Sequence, residues 1–542
     1  MQRQSLKILL KKWCIDQALN HSIRTILISI VATFIMGLGV QFLIMDDDMM
    51  KMLPKELDSK IAWDAVQNEF GSTEIIFIAF GRKGEGIYHS HSLSTLWELT
   101  QGLSNLSSVD EVANISTATR IEQIDGFMEV DALQPFRDLS KNQINDIKIY
   151  LNNNPNQQKQ YISTEEEYLL TIIQPVEEIG LDVFRNQVVA ISDSILFEYN
   201  IHYGGTAYVT GSVPQLIRED VKALIQTGLL IMFVILLINL RSIKAVLMVL
   251  VVIIFSLIAM MGFMGWAYRI TGSDRFLFAL LNTSMPIILL TIANSDGVHV
   301  ITKFFRELRV IGNRRRAIKS MMDTLLIPIF LTSITTITAF LTMVSSPLEP
   351  LIGYGISISI GIAWAWLLSS FMLPAIINIL NWNPKSKYIT EHSLFETVVN
   401  KVGQTVIQNP KLIFLSGLAI VIVGAVGLQK IIVDVNVSSF FKPGTEIRDS
   451  MDFMDNQMNG TMDLRVRIEG DIKEPDILKK MDSLQLFIEK HDSTKLTYSI
   501  TNIVKQMHRI VMDDDMEFET IPKKREKINN LFTIYEMSGN SN

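Results

Sequence analysis

Seven separate runs in this chain are each apolar enough to cross a lipid bilayer, which takes about 20 apolar residues in a helix. They lie at 24–45, 222–240, 244–268, 276–301, 325–345, 350–381 and 411–432. Inside hydrocarbon every backbone amide must find its partner within the protein, so these runs are expected as helices. The mean hydropathy of +0.27 is high for a soluble protein and low for a bare bundle of spans. Spans should therefore alternate with large soluble segments. The first run follows a basic segment and lacks a small-residue cleavage site, so it reads as a retained span rather than a cleaved leader. A net charge of −7 with no basic tract argues against nucleic acid. The lone Cys14 excludes an internal disulfide framework and any cysteine-cluster metal site.

Lysine and arginine placement sets the expected orientation. The basic "LKILLKKW" should stay in the cytoplasm, which puts 46–221 outside, "RSIK" inside and "YRITGSDR" outside. The loop "KFFRELRVIGNRRRAIK" then falls inside, as its charge requires. The linker 382–410 is inside and the chain from about 433 onward is outside.

A weak self-similarity appears at an offset of about 389 residues. Leu6, Leu9, Leu10 and Trp13 fall on Phe395, Val398, Val399 and Val402, at the spacing of an amphipathic helix. Each copy then enters a span and leaves it through an acidic stretch that reaches a proline, Pro54 or Pro443. Gly71 matches Gly460, and each opens a strand-like run. Six spans per unit return the chain to its starting side, so the repeats are parallel. A complete second unit would need roughly 230 more residues and five more spans on this repeat logic. The chain is accordingly expected to be truncated, or one part of a split transporter.

The outer segment 46–221 reads as α+β. Strand-like runs fall at 74–80, 168–176 and 201–209, with helical stretches at 91–106 and 180–199. The polar section 120–165 reads as a helical insertion or lid. Two βαβ-type units suggest a pair of ferredoxin-like subdomains.

The chemistry gathers in "TIANSDGVHV", residues 291–300. Asp296 is the only acid in the seven apolar runs. Ionised and unpaired there, it would cost about 2.5–3.5 kcal/mol on insertion scales. Burial thus favours its protonated form, and a change of surroundings would let it take up a proton on one side and release it on the other. His299, three residues on, shares its helix face and could stabilise the charge or relay the proton. Asn294 and Ser295 are polar neighbours, and the fifth run offers Thr332, Ser333, Thr335, Thr336 and Thr338. Such small hydroxyls permit close helix packing and cross-helix hydrogen bonds. The competing reading places Asp296, about 10 Å along the helix from Lys303, wet and uninvolved near the cytoplasmic interface. Two ligands do not make a metal site, so no metal is expected. The acidic "DDDMMK" (46–51) reads as the exit from the membrane rather than a cation site, and the Met-rich region 448–462 as packing filler. No nucleophile elbow, phosphate-binding loop or catalytic metal pair is present, so no enzyme and no cofactor are expected. Without a nucleotide-binding loop, transport would draw on an ion gradient.

The stretches "SMPIILLTIANSDGVHVITKFFRE", "PIFLTSITTITAFLTMVSSPLEPLIGYGISISIGIAWAWLLSSFMLPAI" and "GSVPQLIRED" resemble the resistance–nodulation–division (RND) superfamily. Within it the chain looks most like the MMPL-type branch of hydrophobe and amphiphile exporters. The resemblance covers essentially the whole chain, and spans 222–381 also resemble a sterol-sensing domain. It implies a multi-span α-helical membrane protein with α+β extracytoplasmic porter domains. It also places the proton carrier of the fourth span at Asp296, with His299, Asn294, Ser295, Thr335 and Thr336 as relay candidates. The implied plan is a cytoplasmic amphipathic segment at 1–23, the first span at 24–45 and a porter domain at 46–221. A five-span core at 222–381, a cytoplasmic linker helix at 382–410, the seventh span at 411–432 and the start of a second porter domain at 433–542 complete it. The resemblance implies an inner-membrane location, a lipid-like or hydrophobic substrate and protons, and leaves room for a homo-oligomer and a periplasmic partner. The leading expectation is a proton-driven exporter. The alternative is a lipid- or sterol-sensing protein without transport, and a third reading is a chain inactive alone.

Overall fold

The computed structural model describes residues 2–45, 53–54, 56–124, 127–177, 179–390, 394–432, 437–461, 463–492 and 494–537. The acidic stretch 46–51 lies outside them, as do the side chains of Leu6, Leu9, Leu10 and Phe395 in the proposed amphipathic repeat. The chain divides into two compact units, Met1–Leu57 with Val213–Asp434 and Asp58–Ser212 with Val435–Asn542.

The first unit holds the membrane helices. Among the described residues seven are long and apolar enough to span: Ser22–Phe42, Thr206–Leu240, Ile243–Thr271, Leu280–Ile311, Arg314–Ser345, Glu349–Ile379 and Pro410–Leu428. Most extend past the apolar runs. The second begins at Thr206 and carries Pro214 inside it. Phe276–Ala279, expected at the start of the fourth span, lie before its helix, with Phe278 N–H bonded to the Ile44 carbonyl at 2.9 Å. The α-helical part of that span, Met285–Ile311, instead runs on through the basic stretch, because Phe304, Phe305 and Leu308 keep one face buried. Its break is short: Gly312 takes φ +68°, and the Asn313 side chain caps the fifth span by accepting from Arg316 N–H at 3.2 Å.

The third, fourth and sixth spans bury half or more of their most apolar windows, whereas the second and fifth bury about a tenth and the seventh none. Exposed apolar side chains on the latter three are what a helix facing lipid requires. The first span packs on the third through glycines. A Cβ on Gly262 would lie 1.9 Å from the Met36 carbonyl oxygen, and one on Gly39 would lie 1.9 Å from that of Gly262. Only small residues let the two backbones come this close. The sixth span is interrupted by a π turn at Leu368–Met372, where Ser369 and Ser370 are buried.

Polar contacts collect at the two ends of this unit. At one end Lys11 pairs with Asp323 at 3.1 Å, Arg315 reaches Asn20 at 2.5 Å, and Arg314 donates to the Leu380 carbonyl at 2.8 Å. The N-terminal helix Gln2–Asn20, the turn at 312–316 and residues beyond 380 therefore share one side. At the other end Arg275 pairs with Glu349 at 2.5 Å, joining the turns that precede the fourth and sixth spans.

In the second unit, helix α1 (Asp58–Phe70) ends at Gly71, with φ +79°. Strand β1 (Ile76–Gly81), helix α2 (Ser90–Ser104) and strand β2 (Val109–Ala113) follow. The section expected to be helical opens with a hairpin, β3 (Thr119–Ile124) and β4 (Phe127–Ala132), before helices α3 (Lys141–Asn153) and α4 (Pro155–Tyr161). Alternation at Ile121, Met128 and Val130, all buried on one face, is the strand signal there. Strand β5 (Tyr168–Pro175), helix α5 (Leu181–Ile195) and strand β6 (Asn200–Gly204) complete the first pass. The run expected as a strand to 209 stops at Gly204, because Gly205 turns the chain with φ +93° into the helix at Thr206. Four strands form one antiparallel sheet in the order β2-β5-β1-β6.

Both faces of this sheet are covered. Ile76, Ile78 and Phe80 of β1 join Leu93, Leu96 and Leu99 of α2 and Phe184 and Val188 of α5 in one core. Phe77 and Ala79 point to the other face, against Met454 and Met458. Met454 belongs to helix α6 (Glu446–Gln457), which is followed by α7 (Pro475–Glu489), α8 (Ile500–Val511) and α9 (Arg525–Met537). Met451, Met454 and Met458 of the Met-rich stretch are buried and act as packing filler, whereas Met462 lies outside the described residues.

Gly262→Val should separate the first and third spans. The added side chain meets backbone rather than a flexible tip, so the loss should exceed the ~1–3 kcal/mol of ordinary overpacking. A clear fall in the detergent melting temperature, absent for Gly417→Val where nothing lies within 4 Å, is the expected result.

A second outcome concerns α6. His202 stacks on Phe453 with ring centroids 3.9 Å apart and planes at 9°. Burial holds the His202 imidazole below the usual histidine range, against a smaller opposite pull from Asp449. The neutral ring is the one docked, so this stabilisation is complete above the unfolded histidine value of about 6.5 and declines as pH falls through it. Amide exchange within Glu446–Gln457, corrected for intrinsic rate, should therefore quicken on acidification. Phe453→Ala should quicken it at every pH.

Candidate functional site

Asp296 lies near the middle of the fourth span, Leu280–Ile311, with 7% of its surface exposed. Among the described residues it is the only buried acid. The longer helices bring other acids into the span ranges. Glu307 meets Lys303 at 2.9 Å and Ser320 at 2.8 Å, Asp323 meets Lys11, and Glu349 meets Arg275. Glu219 and Asp220 are exposed. Asp296 forms no ion pair among the described residues. Its hydrogen-bond partner is Ser333 of the fifth span, whose hydroxyl donates to Oδ2 at 3.2 Å.

The surrounding helices are held close by small residues. A Cβ on Gly297 would lie 3.0 Å from Val249 of the third span, and one on Gly361 of the sixth would lie 2.8 Å from Leu289 of the fourth. Ala293 and Val300, on the buried stripe with Asp296, are fully or almost fully covered. The carboxyl therefore occupies a packed, apolar seam with one hydroxyl for company. A charge there has little to replace the water it lost.

The remaining sequence candidates divide. Asn294 is half-buried, and its Oδ1 is buried without a hydrogen-bond partner among the described residues. Ser295 and His299 are exposed on the outer side of the helix, and His299 makes no ion pair with Asp296. Sharing a turn has not put the ring into the seam. Thr335 and Thr336 return their hydroxyl hydrogens to their own helix, Thr335 to the Leu331 carbonyl at 3.0 Å and Thr336 to that of Thr332 at 2.8 Å. Thr332 and Thr338 do the same. Such back-bonding satisfies a hydroxyl in an apolar setting and bends the helix slightly. Ser333, one of seven hydroxyls in the run, is the one that crosses to the carboxyl. Sequence could not single it out, because the rotation of the fifth span about its axis sets which hydroxyl faces inward.

In the second unit, a cavity of about 480 Å³ lies between α7 and the segments around 463–468 and 494–499. Another, of about 510 Å³, is lined by Asn154, Gln157, Tyr161, Tyr498 and Gln506. Among the described residues no group of three metal-ligating side chains is present.

The family model of the MMPL family matches residues 51–413, a stretch that contains Asp296, Ser333 and six of the seven spans in whole or in part. A search among curated proteins returns no match.

Proposed function

Because the chain belongs to the MMPL family of RND-type membrane transporters of lipid-like substrates, we propose that it exports hydrophobic or amphiphilic molecules, driven by protons that pass through Asp296. The observation that carries this reading is a mid-span carboxyl, buried among apolar helices, with Ser333 as its hydrogen-bond partner and no ion pair among the described residues. Intramembrane acids of this kind are costly and mark ion pathways. Ser333, which bonds the carboxyl, and the half-buried Asn294 are the inner candidates for handing the proton on, with His299 and Ser295 on the outer flank and Thr335 and Thr336 as packing members.

The protein is a multi-pass membrane protein, and we place it in the inner membrane with its N-terminus in the cytoplasm. The shared end of Lys11, Arg314 and Arg315 supports that sidedness, since inside loops carry the lysine and arginine excess. The extracytoplasmic part then comprises the porter segments. The order β2-β5-β1-β6, with α2 joining β1 to β2 and α5 joining β5 to β6, supports a ferredoxin-like module. The repeat is supported by Gly71 and Gly460, which both take positive φ, +79° and +98°, after helices α1 and α6.

Reporter fusions should place residues 310 and 390 and the N-terminus inside, with 100 and 500 outside. An outside reading at 310 would invert the whole arrangement.

Asp296→Asn keeps size and a hydrogen-bond acceptor but removes the titratable proton. In energised membrane vesicles it should abolish proton-driven export while insertion and yield stay at parent levels. Ser333→Ala should slow export several-fold, because the carboxyl loses the one hydroxyl that steadies its charged form. His299→Ala should impair it less, and Thr335→Val least. Parent-rate export by the Asp296→Asn protein would remove this carboxyl from the mechanism and favour lipid sensing without transport.

A further inference from the structure

The sixth span, Glu349–Ile379, breaks its regular winding at the π turn Leu368–Met372. There Leu373 N–H donates to the Leu368 carbonyl, five residues back instead of four. Pro374 follows and has no N–H. The carbonyl it would otherwise meet, that of Ser369 at π spacing or of Ser370 at α spacing, lacks that donor. Ser369 is 0% exposed and Ser370 3%, and neither hydroxyl has a hydrogen-bond partner among the described residues. Other buried serines solve this within their own helix. Ser256 donates to the Val252 carbonyl and Ser359 to that of Gly355, both at 2.7 Å. Ser357 also lacks a partner among the described residues, but it stands alone in unbroken helix. At the π turn two hydroxyls and a freed carbonyl come together.

This turn lies at about the depth of Asp296. The fourth and sixth spans both start from the end where Arg275 meets Glu349, so they run the same way. A Cβ on Gly361 would lie 2.8 Å from Leu289. Seven residues beyond each, about 10 Å along a helix, come Leu368 and Asp296. The π turn packs against both the fourth and the third spans, the pair that meets at Gly297 and Val249 beside the carboxyl. Both serine hydroxyls are enclosed by helices of this chain. Beyond them, toward the end that carries the N-terminal helix, Asn378 Oδ1 is buried without a partner among the described residues. The Asn378 amide nitrogen donates to the Leu19 carbonyl at 2.9 Å.

Buried polar groups without a protein partner are costly unless water takes that place, and a bound water uses roughly two to four of them. Irregular backbone at membrane depth is tolerated where it is buried in protein or lines water. We propose that the π turn is an internal water site, held by Ser369, Ser370 and the freed carbonyl, through which the Asp296 carboxyl exchanges its proton. A bound water gives one proton to the carboxylate and takes one from the next water, so the proton passes and the water is unchanged. Release runs the same steps in reverse. The part in exchange rests on the proton-driven reading of Asp296, whereas the water site itself does not.

The test uses the whole chain purified in detergent. X-ray pulses convert a bound water into hydroxyl radical, which oxidises the side chains beside it. Met372 of the π turn should therefore be oxidised although it is 1% exposed, while Met260, equally buried in regular helix of the third span, should not. Ser369→Ala and Ser370→Ala together should cut the Met372 yield several-fold, each single change should cut it in part, and Ser359→Ala should leave it unchanged. Infrared difference spectra, parent minus Asp296→Asn, isolate the protonated carboxyl. Its deuterium exchange on transfer to heavy water should slow several-fold in the double variant and stay at the parent rate in Ser359→Ala. Met372 left unoxidised in the parent, parent-rate carboxyl exchange in the double variant, or equal slowing by Ser359→Ala would each overturn the proposal. Parent-rate export by the Asp296→Asn protein would instead strike the proton-driven reading, and the oxidation of Met372 would still report the water site.

Discussion

Hydrocarbon leaves a backbone no water to bond with, and that single constraint shapes most of the first unit. Once each span must be helical, the helices differ only in what their side chains do between them. Two devices follow. Glycine removes the side chain altogether, as at Gly39 and Gly262, where carbonyl oxygens come within 1.9 Å of where a Cβ would sit. A small hydroxyl keeps a donor within reach of a neighbouring helix, as Ser333 does for Asp296. Both devices need close approach. Gly297, one residue from the carboxyl, gives the fourth span that approach to Val249 of the third. The site is thus a consequence of packing density as much as of the acid itself.

The same constraint explains why the fifth span has many hydroxyls and the carboxyl has one partner. A threonine in an apolar helix satisfies itself on the carbonyl one turn back, and Thr332, Thr335, Thr336 and Thr338 all do so. Only a residue facing the neighbouring span can do otherwise. The sixth span answers differently, with a π turn at Leu368–Met372 that offsets the register of the helix beside buried Ser369 and Ser370. Such turns recur at functional sites because they expose backbone groups that a regular helix would hide.

How much of this was legible in the sequence depends on whether a feature is local. The spans were legible, since a run of apolar residues needs no knowledge of its neighbours, and Asp296 stood out for the same reason. Strands β1 and β5 and helices α2 and α5 were also found near their expected places. Boundaries moved where amphipathic continuation outran hydropathy, as in the fourth span, where Phe304, Phe305 and Leu308 carry the helix through a basic stretch. The β3–β4 hairpin was missed because its surroundings are polar and its alternation is short. The partner of Asp296 was not legible at all. Choosing Ser333 over its four threonine neighbours requires the rotation of one helix against another, which no single segment encodes. His299 shares a turn with Asp296 but is exposed, a difference in burial that helical spacing alone does not predict.

Exposed apolar surface carries opposite meanings in the two units. On the second, fifth and seventh spans, leucines and isoleucines turned outward are in their proper solvent, and their exposure calls for no further partner. In the second unit the solvent is water, where contiguous exposed apolar side chains are uncommon without an interaction to cover them. Leu464, Val466 and Ile468 are such a case, and they coincide with a backbone that has no ladder. Either observation alone would be weak, since single exposed hydrophobics are ordinary and loops often lack backbone bonds. The side of the segment that does have partners, through Arg465 and Arg467, holds it in place.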